Sequence, residues 1–244
     1  MPGSVYTDKM HLNGNYKKTS LQLQHELATS KSASMGMPED ELPELLGGRL
    51  GLDFVNTIHH RYRESSRDYL QDYRRWLDWS VHAGALGIGE ARALERVAAA
   101  EPRLAGRAFE RTLAFRSTAY DILQARLMRS APDPASVWHL NEMLVVAAPL
   151  RLIEPGEAGR WSWAWSNRTM SLDRPLCAVA VSLSELLATA PSGRIKECPA
   201  PDGCGWFFLD ETRNGSRRWC SMSHCGTSSK MRRYYRRRRD LEAE

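Results

Sequence analysis

The chain has 244 residues, of which 42% are hydrophobic and 26% are charged, and its formal net charge is +5. This composition is ordinary for a globular protein and excludes a collagen-like, coiled-coil or wholly disordered chain. No window has the roughly 18 uncharged apolar residues of a membrane span. The longest apolar stretch, residues 176–190, carries Glu185, so we expect a soluble protein with no membrane partner.

The first 38 residues are rich in Ser, Thr, Asn, Gln, Gly and Lys, and they contain too little apolar surface to offset the entropy of ordering. We therefore expect residues 1–38 to form a disordered tail. Met35 and Met37 leave open a different natural start. The tail has lysines but no apolar segment behind them, unlike a secretory signal, which predicts a cytoplasmic protein in a reducing compartment.

Residues 39–191 contain patterns that predict one larger, mostly helical domain. Leu50, Leu52 and Phe54 alternate with other residues after a Gly-Gly pair, and this alternation predicts a short strand. Further along, apolar residues recur at helical spacing. The predicted helices cover residues 70–80, 91–100, 105–128, 134–147 and 172–189.

Three tryptophans alternate with small residues before the last of these helices. Trp161, Trp163 and Trp165 follow residues 150–154 and a Pro-Gly turn, a pattern that predicts an antiparallel hairpin with one tryptophan-lined face. Core packing is the first interpretation of this face, and an effector or dimer contact is the second. The fold class is therefore α+β: a mostly α-helical larger domain with a small antiparallel sheet, followed by a small second module.

The net positive charge is confined to that second module, residues 192–240. Residues 194–240 contain 12 Lys and Arg against 5 Asp and Glu, whereas residues 1–193 contain 22 of each. The same segment holds four of the five cysteines. The overlap predicts a small basic module held together by a metal.

The four cysteines form two short-spaced pairs, Cys198-x5-Cys204 and Cys220-x4-Cys225. Four thiolates fill the tetrahedral shell of Zn²⁺ and leave no position for a catalytic water, so we predict one structural zinc ion per chain. An iron–sulfur cluster also takes four thiolates and stays an alternative, while disulfides are disfavoured in a reducing compartment.

Several neighbours of the cysteines carry further predictions. Gly203 and Gly205 flank Cys204 as a tight knuckle requires, and Asn214-Gly215 predicts a hairpin between the two pairs. His224 is an alternative ligand to Cys225, although the first interpretation is that it faces solvent. Cys177 lies in an apolar run and is expected to be a buried, inert thiol.

The fourth cysteine is followed by an arginine-rich segment, residues 228–239, that we predict to be a helix. Seven of the ten residues from Lys230 to Arg239 are basic, and such charges repel one another unless a polyanion neutralises them. Nucleic acid is the expected partner; a solubilising tail and an acidic membrane surface are the alternatives. The candidate nucleic-acid-binding residues are Arg213, Arg217, Arg218, Lys230, Arg232, Arg233, Arg236, Arg237, Arg238 and Arg239.

A cluster of polar residues in the larger domain could indicate an enzyme. Asp53, Asn56 and Thr57 lie close to His59 and His60, but no nucleophile or phosphate-binding motif accompanies them. Capping of backbone groups is the first interpretation, a small-molecule effector pocket the second and catalysis the third. We therefore expect no enzyme.

Several motifs together resemble a known family. Cys204-Gly205-Trp206-Phe207-Phe208-Leu209-Asp210, Arg217-Arg218-Trp219-Cys220-Ser221-Met222 and Cys225-Gly226 resemble the CGNR zinc finger, and Gly47-Gly48-Arg49-Leu50 with Leu52-Asp53-Phe54-Val55-Asn56-Thr57 is similar to the start of the ABATE domain that precedes it. In place of the family's Asn-Arg after Cys225-Gly226, this chain has Thr227-Ser228.

The resemblance implies a bacterial, stress-induced transcription regulator. It implies zinc on the four cysteines, DNA binding through the finger in the cytoplasm at the nucleoid, and a larger domain that senses an effector or forms a homodimer. An RNA- or ribosome-associated module and an enzyme with an appended finger are the alternatives.

Overall fold

A computed structural model of the protein describes residues 41–61, 66–166, 170–199 and 204–242. The predicted tail, residues 1–38, and Gly203 lie outside the described residues. In the part of the chain that is described, the fold has seven α-helices and three two-stranded antiparallel sheets. This arrangement confirms the predicted class of a mostly helical protein with small antiparallel sheets.

The helices are α1 (Leu50–Val55), α2 (Tyr73–His82), α3 (Ile88–Ala100), α4 (Pro102–Met128), α5 (Pro134–Ala147), α6 (Arg174–Thr189) and α7 (Thr227–Glu242). The strands are β1 (Ile58–His59), β2 (Arg67–Asp68), β3 (Arg151–Pro155), β4 (Trp161–Trp165), β5 (Ile195–Glu197) and β6 (Phe207–Leu209). They pair as β1 with β2, β3 with β4, and β5 with β6. No described helix is long and apolar enough to cross a membrane.

The predicted strand at residues 50–55 is wrong, because this segment forms helix α1. All six of its residues are buried, so the alternation did not mark one buried and one exposed face. Gly51 lets the helix lie against α6, since a Cβ at this position would stand 3.0 Å from Leu183 Cα. The close approach of two helices, which the local pattern did not reveal, accounts for the difference.

The other helices follow the sequence prediction, with ends that local chemistry explains. The Asp72 carboxylate caps α2 by accepting a hydrogen bond from the Arg75 N–H at 2.7 Å. Pro102 and Pro134 begin α4 and α5, where a missing N–H costs nothing. Helix α4 ends at Arg129, which adopts the left-handed conformation with φ 54°.

One hydrophobic core runs through the larger domain and includes both strands of the β5–β6 sheet. Trp76 and Trp79 stack at 5.3 Å between ring centroids, and the Phe54 ring lies 5.3 Å from Trp76. Ile195, Phe207 and Leu209 belong to the same buried cluster. The first half of the cysteine module is therefore packed into the core of the larger domain.

The tryptophan hairpin is only partly a core element. Trp165 is half-buried and packs against the core, with the Arg174 guanidinium 4.1 Å from its ring centroid. Trp161 is 68% exposed and Trp163 is 50% exposed. The core interpretation thus holds for one of the three tryptophans, because β3 and β4 form a separate two-stranded sheet in which Leu152 to Pro155 of β3 are exposed as well.

Candidate metal centre and basic helix

The four cysteines of the two predicted pairs meet at one point. The ligand atoms of Cys198, Cys204, Cys220 and Cys225 all lie within 4.8 Å of one another. The Cys204 and Cys220 sulfurs are 3.3 Å apart, and the Cys220 and Cys225 sulfurs are 3.7 Å apart. Both distances are far beyond a disulfide bond of about 2.05 Å, and all four cysteines are free.

This donor set fits a tetrahedral zinc ion. With Zn–S bonds of about 2.3 Å, tetrahedral geometry separates neighbouring sulfurs by about 3.8 Å. Thiol hydrogen bonds from Cys204 and Cys220 lower the pKa of Cys198, and proton sharing with Cys198 raises the pKa of Cys220. Four sulfurs at this spacing thus compete for protons until a cation stabilises them all as thiolates. The chain carries a structural four-cysteine site for one zinc ion.

The first knuckle is the connection between β5 and β6. The Cys198 N–H donates to the Trp206 carbonyl at 2.8 Å, and the Gly205 N–H donates to the Cys198 carbonyl at 3.2 Å. Gly205 has φ 76°, which favours glycine. The predicted hairpin at Asn214-Gly215 is wrong. A turn is present there, but β6 pairs with the preceding strand β5, and no described strand follows the turn.

The second knuckle is held by Arg217. Its guanidinium donates hydrogen bonds to the Trp219 carbonyl at 3.0 Å and to the Cys220 carbonyl, and it lies 4.6 Å from the Phe208 ring centroid. Arg217 was predicted to contact nucleic acid. The described contacts give its side chain a structural part, since they fix the backbone at the third cysteine, and its contact with nucleic acid stays a prediction.

A buried carboxylate connects the two knuckles. The Asp210 side chain accepts hydrogen bonds from Lys196 Nζ at 2.7 Å, the Arg217 N–H at 2.8 Å and the Thr212 N–H at 3.0 Å. Burial raises the pKa of Asp210, but hydrogen bonds from Lys196 and Thr212 outweigh burial and hold this pKa well below its usual range. Asp210 is the last residue of the motif that begins at Cys204, but no pattern in the sequence indicated its hydrogen bonds.

The remaining candidate sulfur and nitrogen ligands lie elsewhere. His224 is exposed, and its Nε2 lies 3.4 Å from Glu44 Oε1. Cys225, not His224, belongs to the group of close sulfurs. Cys177 is fully buried in α6, where burial raises the pKa of its thiol to about 12, so it stays a neutral thiol at physiological pH.

The polar residues in and just after α1 make buried hydrogen bonds, and Asn56 among them joins the larger domain to the cysteine module. The Asn56 side-chain amide donates to the Phe207 carbonyl at 2.8 Å, and its oxygen accepts from the Phe207 N–H at 2.8 Å. Asp53 accepts from the Gly47 N–H at 2.7 Å. The Thr57 hydroxyl donates to the Phe54 carbonyl at 2.7 Å and accepts from Arg116 Nη1 at 2.9 Å.

Asp53, Asn56 and Thr57 are at most 2% exposed, and the contacts above favour capping and joining. The effector pocket predicted at these three residues stays a prediction. Asn56 and Phe207 are 151 positions apart in the chain, so no local pattern could have indicated their double hydrogen bond.

Helix α7 follows the metal centre in the chain, and its basic residues are exposed. It starts directly after the turn Met222–Gly226, which Ser221 caps by accepting a hydrogen bond from the His224 N–H. Ser229 is buried, and every residue from Lys230 to Arg239 is exposed. Tyr234 and Tyr235 are each 58% exposed, and their rings contact each other. Arg213 and Arg218 are exposed on the loop beside the metal centre.

Two family models match the chain. The model ABATE, with the description "Putative stress-induced transcription regulator", matches residues 48–190. The CGNR zinc finger model matches residues 194–238, which contain all four clustered cysteines. Comparison with curated proteins finds no match.

Proposed function

Because the chain belongs to the ABATE family and carries a CGNR zinc finger, we propose that it is a transcription regulator that binds DNA through α7. The observation that carries this proposal is the exposure of the whole basic run, residues 230–239, on a helix anchored to the metal centre. In this proposal the larger domain controls the finger by sensing an effector or by forming a homodimer.

The shape and charge of α7 suit duplex DNA. A helix of 16 residues is about 24 Å long and 10–12 Å wide, and the major groove is about 12 Å wide. Arg232, Arg236 and Arg239 are separated by four and three positions, so they share one side of the helix. Lys230, Arg233 and Arg237 form a second row about 120° away around the helix, so the two rows together give α7 a wide basic surface. Phosphate contacts from this surface would supply most of the affinity.

The metal centre supports α7 without taking part in chemistry. Four thiolates with zinc would fix the turn from which the helix starts, because Cys225 lies within the turn Met222–Gly226. The Asp210 network and Arg217 hold the preceding loop, and Asn56 ties β6 to α1. A continuous set of contacts therefore runs from the larger domain to the first residue of α7.

RNA is the second candidate partner, and the tyrosines favour it. Tyr234 and Tyr235 are exposed, with ring centroids 5.6 Å apart and planes inclined at 72°. Aromatic rings in such positions can stack on the unpaired bases of RNA or single strands, whereas stacked bases within a duplex offer no free face.

Fluorescence anisotropy with the full zinc-loaded chain tests the proposal. The test variant replaces Arg236, Arg237, Arg238 and Arg239 by Gln. The matched control replaces Arg92, Arg96, Arg103 and Arg107, which are exposed on α3 and α4, and so removes the same charge.

We expect the test variant to lose most of its affinity for duplex DNA and the control to keep it. Equal losses in both variants would contradict a role for α7. Competition between duplex DNA and a structured RNA at fixed salt distinguishes the two partners, because stronger displacement by RNA would favour the second candidate.

A further inference from the structure

A cavity of about 780 Å³ lies where the larger domain meets the start of the finger. Its lining comes from the end of α4 and the following loop, from α5 and α6, and from the segment that leads into β5. The volume falls within the roughly 300–1,000 Å³ range of small-molecule sites. None of the functions described above uses this cavity.

The chemistry of the lining selects an apolar anion. Three cationic side chains, Arg126, Arg129 and Lys196, border the cavity, and no acidic residue is among the described residues that line it. The remaining walls are largely aliphatic: Ile122, Leu127, Val137, Leu140, Leu187 and Ile195. An apolar body with one negative group matches this combination.

The three cations differ in how much of their donor capacity is free. Lys196 Nζ already donates to Asp210 and to the carbonyls of Gly215 and Arg217. Arg126 Nη2 donates to the Ala190 carbonyl at 2.6 Å. Among the described residues, none accepts a hydrogen bond from the Arg129 guanidinium or forms an ion pair with it.

Arg129 is also well placed to receive a ligand. Its backbone ends α4 in the left-handed conformation, and the residue is exposed, so a ligand from solvent can reach the guanidinium. A guanidinium binds a carboxylate through two parallel hydrogen bonds, a geometry that a single point charge cannot provide.

From these observations we infer that the cavity binds an apolar monocarboxylate, with its carboxylate on Arg129 and its apolar part between α4, α5 and β5. Binding can be measured without DNA, so the site does not depend on the proposed function. An effect of the carboxylate on DNA binding does rest on that function. The lining includes Ile195 and Lys196 of β5 together with Gly193, so an occupant would connect the larger domain directly to the finger.

Isothermal titration calorimetry of the full zinc-loaded chain with benzoate, 2-naphthoate and octanoate tests the site, and the corresponding neutral amides serve as controls. At least one carboxylate should bind at millimolar concentration or below, and its amide should bind about tenfold more weakly, since a charge-assisted pair contributes at least a factor of that size. Failure of all three carboxylates to bind would overturn the inference.

Two variants locate the bound molecule. Arg129→Gln should weaken carboxylate binding about tenfold and leave amide binding unchanged. Val137→Trp should fill the cavity and abolish binding of both, while Val145→Trp, on the exposed side of the same helix, should leave it intact. Arg107→Gln is the matched control for charge. Binding that survives both Arg129→Gln and Val137→Trp would place the molecule elsewhere and overturn the inference.

The effect on DNA binding is measured with saturating carboxylate. A change in DNA affinity that Arg129→Gln removes would support coupling between the cavity and the finger. Carboxylate binding with unchanged DNA affinity would overturn the coupling and leave the site. Loss of DNA binding in every condition, with carboxylate binding intact, would count against the proposed function alone.

Discussion

The larger domain and the finger are stabilised by different means. The larger domain buries a continuous core that includes Trp76, Trp79 and Phe54. A second buried cluster surrounds the metal centre; it contains Tyr69 of the larger domain and six residues of the finger, three of which are cysteines. Apolar burial of that size contributes little, so the part of the finger beyond β6 depends on its metal and on the Asp210 network.

The arginines of the two regions differ in the same way. Arg116 and Arg174 are buried in the larger domain and pair with Asp68 and Glu90 at 2.5 and 2.9 Å. The arginines of α7 are exposed, and the helix has no acidic residue before Asp240. Burial therefore separates the structural arginines of the larger domain from the exposed basic residues of α7.

Loss of one metal ligand is expected to have the largest effect, because it should disorder the part of the finger beyond β6 and leave the larger domain folded. Cys220→Ser should lower the metal content from about one ion per chain to near zero and disorder residues beyond β6, because the binding energy of a structural zinc ion is folding energy. The core around Trp76 and Trp79 should persist. Elemental analysis and near-UV circular dichroism measure the two results; Cys177→Ser is the control outside the site. Full metal retention in Cys220→Ser would contradict the ligand set.

Breaking the buried ion pair should have the next largest effect. The Asp210 side chain is fully buried against Lys196, and removing one partner of such a pair costs about 3–5 kcal/mol. Asp210→Asn should therefore lower the free energy of unfolding of the finger by this amount. Because the pKa of Asp210 is lowered on folding, the wild-type contribution is fully present above about pH 4 and is lost as the pH falls further.

Urea unfolding at pH 7, followed by hydrogen exchange of the residue 210–220 amides, measures this loss. Glu211→Gln on the exposed neighbour is the control, and loss of its exposed ion pair with Arg49 should cost at most about 1 kcal/mol. Equal stability of Asp210→Asn and wild type would show that the network does not support the finger.

Removing the Asn56 side chain should weaken the contact between the larger domain and the finger. Asn56→Ala leaves the Phe207 N–H and carbonyl without partners in the interior, at a cost of about 2–4 kcal/mol in the free energy of unfolding. Urea denaturation should show this decrease together with faster amide exchange in β5 and β6. Asn141→Ala, exposed on α5, should change the stability by less than about 0.5 kcal/mol. Similar values for both variants would contradict the joining role of Asn56.

One exposed contact between the regions, the pair of His224 and Glu44, should contribute least. His224 and Glu44 are 61% and 54% exposed, and pairs of this kind contribute about 0–1 kcal/mol. His224→Gln should keep its zinc and nearly all of its stability. Measured metal loss in this variant would instead make His224 a ligand and remove Cys225 from the proposed set.

The sequence predicted the features that depend on local pattern. The helices, the four zinc ligands and the position of the basic segment followed from spacing and charge. Helix α1 was misread because six consecutive buried residues carry no period that separates a strand from a helix. The hairpin at Asn214-Gly215 was misread because the turn signal does not indicate which strand β6 pairs with.

Long-range contacts between polar groups could not be predicted. Asn56 and Phe207 meet although helices α2 to α6 lie between them in the chain. Arg217 resembles its exposed neighbour Arg218 in the sequence, yet it is Arg217 that donates to the Trp219 and Cys220 carbonyls. The cavity beside β5 draws its lining from residues 122–196, and no single segment reveals it.

The salt dependence of duplex DNA binding tests the central claim most directly. If six cations of α7 neutralise phosphates, a plot of log K against log salt should have a slope of about −5, and replacing Arg236 to Arg239 by Gln should flatten it by about 3–4. The control with four glutamines on α3 and α4 should keep the full slope. A slope that is the same in all three proteins, or an interaction that does not respond to salt, would contradict DNA binding through α7.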